Sequence, residues 1–325
     1  LRDYSAPVSL KTDLTLSDDI HLLRFDDNHF KKWDICQNLH LKLLKNKNLE
    51  LFSNSIKQVI NNTTIDNSIL SLILTPPSYR TFQNNLSNYD PLDLYHMRNS
   101  YLIKFYKNLE DDLYNLFKNL LEKFYINSDL KIRSLIKILL EALCTIDNNF
   151  AKNIAEDFCD SKIMEIKMIG LTSCIKYNHS NSINLLKKFY SEFQNDKIVL
   201  EKWFQIRSSY NNSYFDGINS IKDILKNKNF EYKNPNFVRA IFSSFQGNNI
   251  ELFHAKDGSG YKFVTDQIII IDKINPQTAA RIITPMTNIS KFNDITKNRI
   301  KRYLKKIINS NPSNDVFEVV SKVLG

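Results

Sequence analysis

Sharp turns are scarce in this chain, because only six glycines and eight prolines punctuate 325 residues. That scarcity excludes folds built on frequent tight turns and favours long helices with short connections. Metal-ligand spacing is missing too. The six histidines are His21, His29, His40, His96, His179 and His254; no two stand four apart and none precedes a Glu. A helix-borne His-Glu-x-x-His zinc site is therefore excluded from this chain. The four cysteines, Cys36, Cys144, Cys159 and Cys174, form no Cys-x-x-Cys pair. Disulfide frameworks crowd cysteine into short secreted chains, so these read as reduced, mostly buried thiols of a cytoplasmic protein. No apolar run approaches the ~20 residues that span a bilayer, so no membrane partner is expected. A dinucleotide fingerprint fails as well: Gly258 and Gly260 are followed by Phe263 where the third glycine belongs.

What remains is a helix-forming chain with enough apolar residues for a sizeable core, 42% hydrophobic against 24% charged. Residues 1–16, containing Pro7, read as an extended lead or linker leaving a preceding β-domain. From Ser17 onward, apolar residues recur at three and four, with Asp18 and Asp19 loading negative charge near the first helix start. Amphipathic stretches follow, among them one continuous run from Leu92 to Phe124. Short helices in succession predict an all-α fold of stacked antiparallel helix pairs, an α-solenoid of the HEAT or armadillo type over residues 17–325. The net charge of +9 has its densest source in Lys297–Lys306, where Ile300, Tyr303 and Leu304 interleave the cations at helical spacing. That pattern is an amphipathic helix with a solvated cationic face, so no nucleic-acid partner is expected from it.

The most informative stretch runs from Asn234 to Pro285. Two Asn-Pro pairs, 234–235 and 275–276, announce two helices: Asn caps free N–H groups and Pro fits the first helical position. Each start carries an arginine into the helix, Arg239 and Arg281, and Gln277 lies four before Arg281 on the same face. Cations near a helix N-terminus oppose its dipole, so an anion supplied from elsewhere is the natural partner. The competing reading pairs each arginine with a carboxylate inside the fold. Asp257-Gly258-Ser259-Gly260 reads as a helix connector, glycine supplying the positive φ of a tight reversal. His254, Asp257 and Ser259 hold the ingredients of a nucleophilic triad. Triads are assembled from separate elements, so His254 reads instead as a structural, hydrogen-bonding histidine. Trp33 and Trp203 read as core anchors and Glu110-Asp111-Asp112 as an exposed acidic helix turn.

The same stretch, with its FHAKDGSGY loop and NPQTAAR helix start, resembles the C-terminal helical domain of the aminopeptidase N family, the zinc-dependent gluzincin aminopeptidases of bacteria. YSAPV at Tyr4–Val8, NHFKKWDICQNL at Asn28–Leu39, VLEKWF at Val199–Phe204 and VFEVVSKVL at Val316–Leu324 extend the resemblance in order along the chain. It implies a superhelical C-terminal domain that closes over a catalytic cavity built elsewhere in the same polypeptide. The expected partners are then the catalytic and β-domains of that polypeptide and peptide substrates. The resemblance also implies that Arg239, Gln277 and Arg281 face the substrate. Zinc would belong to the parent enzyme and none to this chain, which holds no catalytic residue of its own. The stretch Gln205-Ile206-Arg207 departs from the family pattern and carries no implied role. The alternative class is a stand-alone helical-repeat scaffold binding a protein or nucleic acid through its basic surface.

Overall fold

Helix starts in this chain are fixed by short polar side chains that accept hydrogen bonds from otherwise unpaired N–H groups. Thr15 and Asp18 form a reciprocal capping box at the first helix, and Asn28, Asp66, Asp129, Asn148, Asp196, Asn293 and Ser313 cap later ones. The computed structural model describes residues 13–45, 49–126 and 129–325. Among them nineteen α-helices form, and the only β-type pairing is an isolated parallel bridge between Tyr89 and Phe292. Residues 1–12 of the expected extended lead lie outside the described residues.

The described chain divides into two compact units, one of residues up to Asn85 with Met97–Ile169, the other of Leu86–His96 with Gly170–Gly325. In chain order the helices are α1 (Leu16–Phe25), α2 (His29–Leu43), α3 (Leu49–Ile60), α4 (Asn67–Leu74), α5 (Tyr79–Asn84), α6 (Pro91–Lys107), α7 (Glu110–Ile126), α8 (Leu130–Thr145), α9 (Asn149–Phe158) and α10 (Met164–Lys176). They continue as α11 (Ser182–Phe193), α12 (Lys197–Ser209), α13 (Gly217–Ile224), α14 (Pro235–Asn248), α15 (Ile250–Phe253), α16 (Ser259–Asp272), α17 (Pro276–Thr287), α18 (Asp294–Ile308) and α19 (Asn314–Leu324).

In the first unit α1 packs on α2 and α3, α4 on α2 and α8, and α7 on α3 and α8. The continuous helix expected over Leu92–Phe124 is broken at Asn108–Leu109 into α6 and α7. Leu109 is fully buried, and the acidic run Glu110-Asp111-Asp112 forms the first turn of α7, where negative charge meets the positive end of the dipole. The acidic cluster is thus a helix start. His40 of α2 is buried among Phe52, Tyr101 and Phe105 and shares a 2.9 Å hydrogen bond with the Tyr101 hydroxyl.

The second unit has two layers. One stacks α12, α14, α17 and α19 side by side, and the other stacks α13, α16 and α18 against them. Phe204, Phe242, Phe245, Ile283, Met286 and Leu304 are among the fully buried residues between the layers. Trp203 is partly buried against this core and donates its indole N–H to the Leu186 carbonyl, while Trp33 in the first unit is half-buried. The basic run forms α18 with Ile300, Tyr303 and Leu304 buried and Arg302, Lys305 and Lys306 exposed.

Candidate functional site

The two Asn-Pro pairs start helices as their chemistry dictates. Asn234 accepts from the Asn236 and Phe237 N–H groups, and Asn275 from Thr278, with Pro235 and Pro276 at the first helical positions of α14 and α17. These two helices are neighbours in one layer of the second unit. Because the other layer covers their inner side and like helices flank them, each keeps only a narrow outward stripe. On α14 the exposed residues are Pro235, Asn236, Arg239, Ser243, Gly247 and Asn248, while Phe237, Val238, Ala240, Ile241, Phe242 and Phe245 are buried. On α17 the exposed stripe is Gln277, Arg281 and Thr284, over buried Ala279, Ile282, Ile283 and Met286. Gln277 and Arg281 therefore do share a face of α17, as their four-residue spacing requires.

Electrostatically the two stripes are one-sided. Neither α14 nor α17 contains an Asp or Glu. Arg239 donates to the Pro235 carbonyl at 3.2 Å and to the Asn236 side chain, both within its own helix. Among the described residues neither Arg239 nor Arg281 is ion-paired with a carboxylate. An exposed guanidinium keeps its fork available for a carboxylate or a peptide carbonyl. Pro285, inside α17, has no N–H to give the Arg281 carbonyl four residues before it.

Buried amides fix the spacing of these helices. Gln246 donates to the carbonyls of Phe242 at 3.2 Å and Ile282 at 3.0 Å, tying α14 to α17. Asn249, at the end of α14, donates to the Ser208 carbonyl of α12 at 3.2 Å. Sequence reasoning singled out none of Asn236, Ser243, Gly247 and Thr284. The signal was present: Ser243 and Gly247 lie four and eight after Arg239, and Thr284 lies three after Arg281.

No nucleophilic triad forms in the 254–260 loop. Buried His254 shares its 2.6 Å hydrogen bond with the Tyr261 hydroxyl, whereas Asp257 accepts from the Ser259 N–H. Gly258 precedes α16 with φ +76°, as a tight connector requires. Gly260 serves a different need, close approach: a Cβ there would stand 2.2 Å from the Leu252 carbonyl oxygen. Arg207, left without a role by sequence, stacks 3.6 Å from the centroid of Phe215 and donates to the Ser220 hydroxyl at 3.3 Å. No group of three or more His, Cys, Asp or Glu able to hold a metal occurs among the described residues, so they do not fit a zinc centre. No helix among them is long and apolar enough to cross a membrane.

Comparison with known proteins converges on one family. A family described as a domain of unknown function (DUF3458_C) with ARM repeats matches residues 17–325. The chain is similar to aminopeptidase N of Haemophilus influenzae at 28% identity and of Caulobacter vibrioides at 26%, in each case over 100% of the chain and 39% of the relative. Aminopeptidase N of Escherichia coli is 23% identical over the same shares. The chain thus spans about two-fifths of the length of the curated relatives it matches. In fold it resembles the crystal structure of Legionella pneumophila aminopeptidase A in complex with aspartic acid, with a TM-score of 0.86 at 24% identity over 99% of this chain and 40% of that one. The all-α helical-repeat fold expected from the sequence agrees with both.

Proposed function

The chain belongs to the DUF3458_C family of ARM-repeat domains and matches the C-terminal part of aminopeptidase N, and from this premise we propose that it is the cap domain of a zinc aminopeptidase. In this reading residues 17–325 close over a catalytic cavity formed by other parts of the same polypeptide. Arg239, Gln277 and Arg281 receive the distal part of a peptide whose N-terminal residue is being removed. The zinc and the hydrolytic step belong outside this chain.

One observation carries the reading: two guanidinium groups stand exposed on neighbouring helices that contain no carboxylate. The catalytic end of an aminopeptidase grips the free amine, so backbone carbonyls and the terminal carboxylate point away from it. A guanidinium fork meets both oxygens of that carboxylate, which an ammonium cannot do.

The test uses the full-length parent. Arg281→Ala should weaken peptide substrates more than single-residue chromogenic amides, which end before reaching the cap. A charge-assisted hydrogen bond lost at a partly shielded site costs about 1.5–3 kcal/mol, a tenfold or larger fall in kcat/KM. Gln277→Ala should cost less, and Arg281→Lys should recover part of the loss. Equal losses on peptides and small amides, with a lowered Tm, would show that Arg281 holds the fold together instead of reading substrate.

A further inference from the structure

Gln246 is 3% exposed and lies on α14, the helix that carries Arg239. Both hydrogens of its amide go to main-chain carbonyls, Phe242 of its own helix and Ile282 of α17. Its side-chain oxygen is buried and has no partner among the described residues. A desolvated amide oxygen without a donor is destabilising, and methionine would fill nearly the same space without one. Core stability alone therefore does not account for glutamine at this position. What the amide supplies is a bond at Ile282, the residue directly after Arg281.

That bond meets α17 where the helix's own hydrogen bonding is interrupted. Pro285 stands inside the helix, so the Arg281 carbonyl has no N–H to accept from four residues on, and the proline ring crowds it. Hydroxyls act on the same stretch: Thr284 donates to the Ala280 carbonyl at 3.1 Å and Thr287 to the Thr284 carbonyl at 2.9 Å. Such back-bonding bends a helix and does not stiffen it. The stiffening contact comes from the buried side, from α14.

We infer that Gln246 is a positioning residue: its amide braces the turn of α17 interrupted by Pro285 and so fixes Arg281 along the helix that carries Arg239. This rests on the cap reading above and deepens it by naming what sets the offset of its two arginines. The amide touches no substrate and acts through Arg281. A guanidinium fork displaced by about 1 Å no longer meets both oxygens of a carboxylate.

The experiment is done in the full-length enzyme with Gln246→Met, read on a peptide and on a single-residue chromogenic amide. The peptide-to-amide ratio of kcat/KM should fall roughly tenfold. The fall should appear as a raised peptide KM at unchanged kcat, because the misplaced contact serves ground and transition state alike. Tm should hold or rise, since the orphaned oxygen is gone. Pro285→Ala gives the turn back its own hydrogen bond, so Gln246→Met in that background should change the ratio by less than about twofold. Hydrogen exchange of the 282–287 amides, measured without substrate, should quicken in Gln246→Met. Three results overturn the inference: a wild-type ratio in Gln246→Met, an equal loss on peptide and amide with a lowered Tm, or an undiminished loss in the Pro285→Ala background. Arg281→Ala decides the cap reading separately. A peptide-selective loss there, beside a wild-type ratio in Gln246→Met, retains the cap and removes the brace. No peptide-selective loss there, with quickened exchange in Gln246→Met, removes the cap and retains the brace of α17.

Discussion

Gly260→Ala is the single substitution whose cost follows most directly from geometry. Gly260 is the second residue of α16 and fully packed against the end of α15. An added Cβ would lie 2.2 Å from the Leu252 carbonyl oxygen, 2.4 Å from that of Phe253 and 2.6 Å from the Phe253 Cα. Ordinary contact begins near 3.4 Å, so α15 would have to retreat by about 1.2 Å, the difference between 3.4 and 2.2. The obstacles are main-chain atoms, which no rotamer change removes. Retreat would pull Phe253 from its ring contacts with Phe245 and Tyr261 and stretch the 2.6 Å bond between His254 and Tyr261. Overpacking alone costs about 1–3 kcal/mol and a broken buried hydrogen bond about 1–3 more, together some 2–6 kcal/mol. That is a large share of the 5–15 kcal/mol typical of a folded domain. Gly258→Ala is the comparison. Its φ of +76° puts alanine in the left-handed region at about 1–2 kcal/mol, but the nearest obstacle is the Tyr303 hydroxyl, the tip of a side chain. Urea unfolding of the purified chain, followed by circular dichroism, reads both. Gly260→Ala within about 0.5 kcal/mol of wild type, or less damaging than Gly258→Ala, would refute the steric account.

Burial holds His40 and His254 neutral, pushing each down to about 3, with Arg98 adding to the effect at His40 and Arg299 opposed by Asp90 at His254. The unfolded chain takes up these protons near pH 6.5, so the stability is whole above that pH and is lost as pH falls toward 3, by about 2 kcal/mol per histidine at pH 5. The stability difference between wild type and His254→Phe should therefore shrink by about 2 kcal/mol between pH 7 and pH 5, and a pH-independent difference would refute the assignment. The purified chain should show a helix-dominated circular dichroism spectrum with a cooperative melt that excess chelator leaves unchanged; a chelator-lowered Tm, or one tightly held zinc per chain, would show a metal site in it.

Local chemistry made the helix starts legible. Asn234-Pro235 and Asn275-Pro276 need only their own neighbours to cap and open a helix, and both do so. The break at Asn108 was equally local, but apolar periodicity running through Leu109 masked the acidic turn behind it. Gly258 and Gly260 show where local reading stops. A positive φ is a property of one residue, whereas the closeness of Leu252 to Gly260 exists only once α15 and α16 are packed. His254 pairing with Tyr261 is of the same kind, depending on the turn between two helices.

At the candidate site the boundary falls between face and partner. Helical spacing places Gln277 and Arg281 together, because both positions belong to one helix. Whether an arginine is answered by a carboxylate is a tertiary question, settled by what the neighbouring helices carry. Here α14 and α17 bring no acid, while Gln246 and Asn249 bind neighbouring carbonyls of α17 and α12. Those amides are an uneconomical way to build a core: the Gln246 and Asn249 side-chain oxygens are buried without a partner among the described residues. An apolar residue of similar size would avoid that desolvation cost. What an apolar residue does not supply is a directional bond from one helix to the main chain of the next. Such a bond resists sliding of α14 along α17, and sliding by one turn would move Arg239 by about 5.4 Å relative to Arg281. A layer that retains half-satisfied amides behind two guanidinium groups without a carboxylate partner has given up stability for the placement of its outward face.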